Sequence, residues 1–534
     1  MTHEIKVSKS WRPLVMGRNG MVAAGHHLSA LSGLRVLQEG GNAVDAALAA
    51  GFTLAVVRPE ACGLGGDLFA LVYMNQERVE ALNASGPAPS RASIDFFRAN
   101  GLDRIPSSGP LSIAIPGAVD GWMALHEKYG TMELERLVAD AVRYAREGFP
   151  LFSGLVTTIE ELAPIYPDID AYFRKPISDL RPGRLLVQKG VAQAFEAIAR
   201  AGREGFYGGE LGERLCAAIQ ARGGIIGVDD LRGNFAEWLE PLRCSYKDYQ
   251  VFEQPPVSQG FMVLEMLNII ENFPLAEMSL AEAIHIMVEA KKIAFADRIA
   301  HLEDPKFGDP QVSRLIAKEY AAQRAKGIAG VAAPSSERAA FAGGDTDYLC
   351  VVDGAGNAVS LIQSVFAGFG SRVVAGDTGV VMNNRLSSFG LDASRANALK
   401  PGKRPAHTLN SYMVFLDNRL LVVGGTPGAD DQPQSNLQIL YNLLERRMDP
   451  QTAIEQPRWS HRPGTPPNHE GAEVLRMESG FPADVVQSLQ RKGHKVETVG
   501  RWAFGGSQVI VQDPVSGSLM GGADPRRQGY ALGW

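Results

Sequence analysis

The sequence predicts a mixed α+β protein, long enough for several ordinary domains or one large unit, and three observations carry that expectation. Residues 110–300 read mainly as helix, and residues 346–425 read as strands joined by short loops. A hairpin-like stretch stands where the two patterns meet: an apolar run through Asp353, the turn Gly354-Ala355-Gly356-Asn357, and a second apolar run from Ala358 to Ile362. At 534 residues, 45% hydrophobic and 21% charged, the chain has the balance of a globular protein with ample core.

Composition excludes several function classes. The net charge is −6 with no block of like charges, so neither nucleic acid nor an anionic membrane is an expected partner. No apolar run is long enough to span a bilayer. The first ten residues lack the basic and apolar regions of a secretory signal, so cytoplasmic residence is the expectation. Four widely spaced cysteines without a Cys-x-x-Cys pattern read as buried free thiols.

Taken in order, Asn42 is placed to cap a helix whose first turn carries Asp45. The alanine-rich run through Ala50 continues it. Gly63-Leu64-Gly65-Gly66-Asp67 turns sharply into a core strand, Leu68 to Tyr73. These glycines serve close backbone packing and not phosphate binding, since no Gly-Lys-Ser/Thr follows. Apolar residues from Ala283 to Ala294 recur at helical spacing, which leaves His285, Glu289 and Lys292 on a face expected to be solvated. Residues 330–344 are rich in Ala, Pro, Ser and Gly and are expected to form a mobile linker. Gln363 to Ser371 is glycine-punctuated and expected to line a pocket. Leu437 to Leu444 reads as helix, and Gln508 to Val511 as strand.

Thr346 follows the glycines of that linker and opens the hairpin. A threonine hydroxyl is a weak nucleophile unless a base removes its proton, and a free α-amine on the same residue can do so. Such an amine titrates near ~7.7–8, so part of it is neutral at physiological pH. Cleavage of the Asp345–Thr346 bond would create that catalyst. By itself the stretch does not separate this from an ordinary structural threonine.

Further stretches do. Gly20-Met21-Val22-Ala23, Gly40-Gly41-Asn42-Ala43-Val44-Asp45-Ala46-Ala47 and Leu64-Gly65-Gly66-Asp67 are followed in order by Ala294-Phe295-Ala296-Asp297-Arg298, Lys403-Arg404-Pro405 and Gly425-Thr426-Pro427-Gly428. In these the chain resembles the γ-glutamyltransferase family of N-terminal-nucleophile hydrolases over nearly its whole length. The resemblance implies a four-layer αββα sandwich, processed into a large chain 1–345 and a small chain 346–534 that form one structural unit. It implies Thr346 as nucleophile, Ser364 as a second hydroxyl beside it, and the N–H groups of Gly428 and Ala429 as oxyanion donors, with Ala429 standing where the family has glycine.

The specificity residues depart from the family. Ser85 stands where the family has a carboxylate-binding arginine. His407 and Thr408 stand in place of a serine pair, and Asn383-Asn384-Arg385-Leu386-Ser387-Ser388 lacks the acid that holds an α-amine. A γ-glutamyl head group would lose both charge-assisted contacts. The resemblance therefore points to the amidohydrolase branch, acting on a small carboxylate-bearing amide. Arg385 is the candidate carboxylate ligand, with Asn384, His407, Thr408 and Gln363 as further substrate contacts. Two alternatives stay open: a γ-glutamyltransferase with atypical recognition, and an unprocessed binding protein. No cofactor or metal is expected; His26-His27 has no spaced partner, and His461 and His469 read as surface residues.

Overall fold

A computed structural model describes residues 6, 10–233, 235–334, 345–463 and 473–534. Two seven-stranded antiparallel sheets pack face to face. The first runs, edge to edge, Tyr530–Gly533, Gly20–Ala24, Asp345–Asp353, Ala358–Phe366, Asp67–Tyr73, Val79–Ala84, Glu237–Leu239. The second runs Val15–Gly17, Leu519–Ala523, Gln508–Gln512, Arg419–Gly425, Ser411–Leu416, Tyr249–Glu253, Leu242–Tyr246.

Side-chain alternation builds the layers. Tyr348, Cys350 and Val352 point between the sheets, against Phe69, Met413, Val423 and Ile510. Leu349 and Val351 point outward and join the helices that cover the first sheet. A strand buried on both faces reads as one continuous apolar run, which is how 348–352 reads. Helices Phe261–Ile270, Leu280–His301 and Asp431–Leu440 cover the second sheet. The result is the αββα sandwich that the resemblance implies.

Local chemistry sets the element ends. The Asn42 side chain accepts the N–H groups of Val44 and Asp45, and the Asp45 carboxylate accepts the Asn42 N–H at 3.0 Å. This reciprocal cap starts helix Ala43–Val57, every residue of which is buried. At the hairpin turn, Asp353 Oδ1 accepts the N–H of Ala355 at 2.9 Å and of Asn357 at 3.0 Å. Gly356 takes φ +84 there, a backbone that glycine reaches without steric cost.

Residues 110–300 are mainly helical, with short strands such as Glu237–Leu239, Leu242–Tyr246 and Tyr249–Glu253 where the chain joins the sheets. The structure corrects two expectations. The His285, Glu289 and Lys292 face is buried and not solvated. His285 Nδ1 lies 2.8 Å from His494 Nε2, and Lys292 Nζ lies 2.8 Å from Glu289 Oε1. His461 is 1% exposed, enclosed by a three-stranded sheet, Trp459–Arg462, Val474–Glu478 and Val496–Val499, that the sequence pattern does not announce. His469 and linker residues 335–344 lie outside the described residues.

All four cysteines are free and buried. Among the described residues no helix is long and apolar enough to cross a membrane.

Candidate active site

Thr346 and Ser364 meet where two central strands of the first sheet pair. Strand Asp345–Asp353 carries an irregularity between Asp345 and Asp347, which gives Thr346 a position outside the regular ladder. Its Oγ1 donates to Ser364 Oγ at 3.0 Å, and Ser364 Oγ donates to the carbonyl oxygen of Asp345 at 2.8 Å. The Ser364 oxygen also accepts the Phe366 N–H at 2.8 Å, which fixes its rotamer. Both hydroxyl residues are buried.

Five charged groups surround this bond. Asp345 Oδ1 accepts the Thr346 N–H at 3.0 Å and an N–H of Arg527 Nη1. Arg58 Nε lies 3.0 Å from Asp347 Oδ2 and 2.9 Å from Glu60 Oε1, and its Nη2 lies 4.0 Å from Asp345 Oδ1. Burial pushes the carboxyls of Asp347 and Glu60 up, to about 6 and about 7, against the pull of Arg58. Burial also raises Asp345, but Arg527 and Arg58 more than offset it and hold that carboxyl below its ordinary range. Room for Asp347 comes from Gly25, where a Cβ would lie 1.8 Å from its Oδ1. Sequence reasoning missed Arg58, Glu60, Asp347 and Arg527 as neighbours of this bond; only Asp347 carried a local signal, its place beside Thr346.

Ahead of the turn after strand Arg419–Gly425, Gly425 packs directly on Tyr348, where a Cβ would lie 2.6 Å from the ring. Gly428 has φ +130 and Ala429 φ +51, so this turn is built from left-handed backbone, strained at the alanine. Their carbonyls accept from Asp431 and Gln432. Their N–H groups meet no protein acceptor among the described residues. Behind the turn, Gln259 Nε2 donates to the Ala429 carbonyl at 3.1 Å, and Arg298 Nη1 binds Asp430 at 2.8 Å.

A second polar cluster lies one strand further on. Asp67 is the cross-strand partner of Ser364, so Thr346, Ser364 and Asp67 form a row across three strands. Asp67 Oδ2 accepts from His407 Nε2 at 3.1 Å and lies 3.4 Å from Arg385 Nε; its Oδ1 accepts the Gly86 N–H at 3.0 Å. Arg385 Nη1 donates to Thr408 Oγ1 at 3.3 Å. The guanidinium stacks on Phe366, 4.0 Å from the ring centroid, and Phe366 is the cross-strand partner of Asp345. Arg385 is fully buried, yet its Nη2 has no hydrogen-bond partner among the described residues.

Burial lowers the Arg385 guanidinium to about 10, against the attraction of Asp67. Burial, then the Arg385 charge, lowers His407 to about 4. His407 is therefore neutral near pH 7. Its Nδ1 accepts the Leu409 N–H at 3.3 Å, so the ring proton sits on Nε2 and is donated to Asp67.

Of the remaining candidates, Asn384 bonds the loop: its Oδ1 accepts the Ala367 N–H at 3.0 Å and its Nδ2 donates to Ser107 O at 2.8 Å. Gln363 is a correction. Strand alternation turns it to the helix side, where it donates to Gly51 O at 3.0 Å and accepts from Trp122 Nε1 at 3.2 Å. Ser364 occupies the opposite face. Away from this site, ligand atoms of His285, Glu289 and His494 lie within 4.8 Å of one another. Lys292 already supplies the cation to Glu289, and the two imidazoles bond each other.

Two face-packed sheets between helical layers, with a hydroxyl residue buried at the start of a central strand, define an N-terminal-nucleophile type of hydrolase fold. The gamma-glutamyltranspeptidase family profile matches residues 29–534, and the chain belongs to that family of hydrolases and transferases. It is 39% identical to the glutathione hydrolase-like YwrD proenzyme of Bacillus subtilis, over 97% of this chain and 99% of that protein. It is 34% identical to the oxamate amidohydrolase proenzyme of Klebsiella pneumoniae subsp. pneumoniae, over 97% and 98%. Among solved structures, the cephalosporin acylase from Bacillus halodurans superposes with a TM-score of 0.91 at 35% identity, covering 99% of this chain and 98% of that one.

Proposed function

We propose that the chain is a proenzyme that cuts itself before Thr346 and then hydrolyses the amide bond of a small carboxylate-bearing substrate. The observation that carries this reading is the hydroxyl relay from Thr346 Oγ1 through Ser364 Oγ to the Asp345 carbonyl oxygen, at 3.0 and 2.8 Å. In the precursor, Oγ1 attacks the Asp345 carbonyl carbon while Ser364 steadies the oxygen that takes up charge. The C–N bond breaks, the Thr346 nitrogen takes the proton lost by Oγ1, and an ester joins Asp345 to Thr346. Water then cleaves the ester, leaving a carboxylate on Asp345 and a free amine on Thr346. Large chain 1–345 and small chain 346–534 stay together because each of the two sheets contains hydrogen-bonded strands of both.

In the mature enzyme the α-amine takes the Oγ1 proton and Oγ1 attacks the substrate carbonyl. The N–H groups of Gly428 and Ala429 receive the oxyanion. The amine returns the proton to the leaving nitrogen, and water resolves the acyl-enzyme. Arg385 Nη2, buried without a partner among the described residues, supports recognition of a substrate carboxylate. Thr408 and His407 hold that guanidinium in place directly and through Asp67, and Asn384 shapes the loop beside it. Two strand spacings, roughly 10 Å, separate the Arg385 cluster from Thr346, so the substrate is compact.

Intact mass measurement under denaturing conditions tests the reading. Two fragments are expected, the smaller beginning at Thr346, and Thr346→Ala should stay full length and inactive. The cleaved enzyme is then offered oxamate, terminally carboxylated acyl amides and a γ-glutamyl anilide. Turnover of the anilide alone, accelerated by a dipeptide acceptor, would reassign it as a γ-glutamyltransferase. A wild-type chain that stays full length for days would make it a binding protein.

A further inference from the structure

Asp345 is an unusual residue to place on the carbonyl side of a bond that must break at a fixed geometry. Its carboxylate is about three-quarters shielded, with 22% of the side chain exposed. It sits two residues from Asp347 and near Glu60, which also carry negative charge once ionised. Among the described residues, the close contacts of its carboxylate converge on Oδ1: the Thr346 N–H at 3.0 Å, Arg527 Nη1, and Arg58 Nη2 at 4.0 Å. Arg58 is committed to Asp347 and Glu60 at 3.0 and 2.9 Å. Arg527 is the guanidinium that grips Asp345 itself.

Arg527 also donates Nε to the Gly505 carbonyl at 3.2 Å. Gly505 packs against Thr426, and its Cα would lie 3.8 Å from a Cβ placed on Gly428. The stem of Arg527 crosses Gly506 so closely that a Cβ there would lie 2.6 Å from its Cδ. One guanidinium therefore bridges the residue to be cut and the loop behind the glycine turn, along a path that only glycine leaves open.

We infer that Arg527 is a positioning residue for self-cleavage: it locks the Asp345 side chain so that the Asp345 carbonyl stays on Ser364 Oγ, in line with Thr346 Oγ1. The inference rests on Thr346 as the nucleophile. Asp345 does not serve as the base for Oγ1, because its Oδ1 is turned to the Thr346 nitrogen. Losing the clamp frees the side chain to rotate, and the carbonyl turns away from the hydroxyl relay.

The test follows the full chain made by cell-free synthesis, timing the appearance of the two fragments on a denaturing gel and fixing the cut by mass. Arg527→Gln and Asp345→Asn should each slow cleavage about ten-fold or more. The double variant should be no slower than the slower single one, because both remove the same contact. Arg527→Lys should recover part of the rate. A merely structural role for Arg527 would make the two effects multiply, and that result overturns the inference. So does a wild-type rate in Asp345→Asn, which reads the same contact should Arg527→Gln not fold. A wild-type chain cut elsewhere, or not at all, would remove the nucleophile reading and this inference with it. Cleavage at Thr346 with unmoved rates would remove this inference alone.

Discussion

Ser364 Oγ sits 3.0 Å from Thr346 Oγ1 and on the same face of the sheet, bonded at once to the proposed nucleophile and to the Asp345 carbonyl that it would attack. Substituting Ser364 by alanine removes both contacts and leaves the Phe366 N–H without its acceptor. The expected result is a fall of roughly 100-fold in the rate of self-cleavage, read as fragment appearance over time. Ser364→Thr keeps the hydroxyl and should retain most of the rate.

The Nη2 of Arg385, which has no hydrogen-bond partner among the described residues, makes a differential prediction. A charge-assisted hydrogen bond is worth about 1.5–3 kcal/mol, which corresponds to roughly 10- to 150-fold in kcat/KM. Arg385→Met should impose that loss on an amide with a carboxylate and leave a neutral amide of the same size nearly unaffected. Equal losses on both would mean that Arg385 only supports the fold, by pairing Asp67.

His461 predicts how stability varies with acid. Burial, then the charge of Lys291, lowers its ring to about 3, against an opposing bond to Glu473. The unfolded ring has the ordinary value near ~6.5, so it takes up a proton first as pH falls. The stability it contributes is complete above ~6.5 and is lost as pH falls toward about 3. At pH ~4.5 the loss from this one ring is on the order of 2 kcal/mol. Urea unfolding of the uncleaved Thr346→Ala chain at pH ~7 and ~4.5 measures it, and His461→Gln should flatten the difference by that amount.

The particular elements show what was legible in the chain. Strand 348–352 and helix 43–57 declare themselves because their apolar period, their cap and their turn residues are local. Thr346 and Ser364 stood out through the family resemblance, since the local pattern of glycines, hydroxyl and strand does not by itself mark a nucleophile. His285 and His461 were misread because an exposed-looking polar position is buried whenever a distant element covers it. Gln363 was misread because one step along a strand reverses the face.

By itself, then, the sequence determined the hydrophobic periods and caps, which are set by neighbours within a hairpin or a helix, and the family resemblance, which is carried by short motifs in a fixed order along the chain. Only the tertiary structure decided which charges meet. Arg527 reaches Asp345 across 182 positions and Asp67 meets His407 across 340. Such pairs form because a buried carboxylate needs a counter-charge or donor, and sheet register, not sequence distance, decides which one arrives.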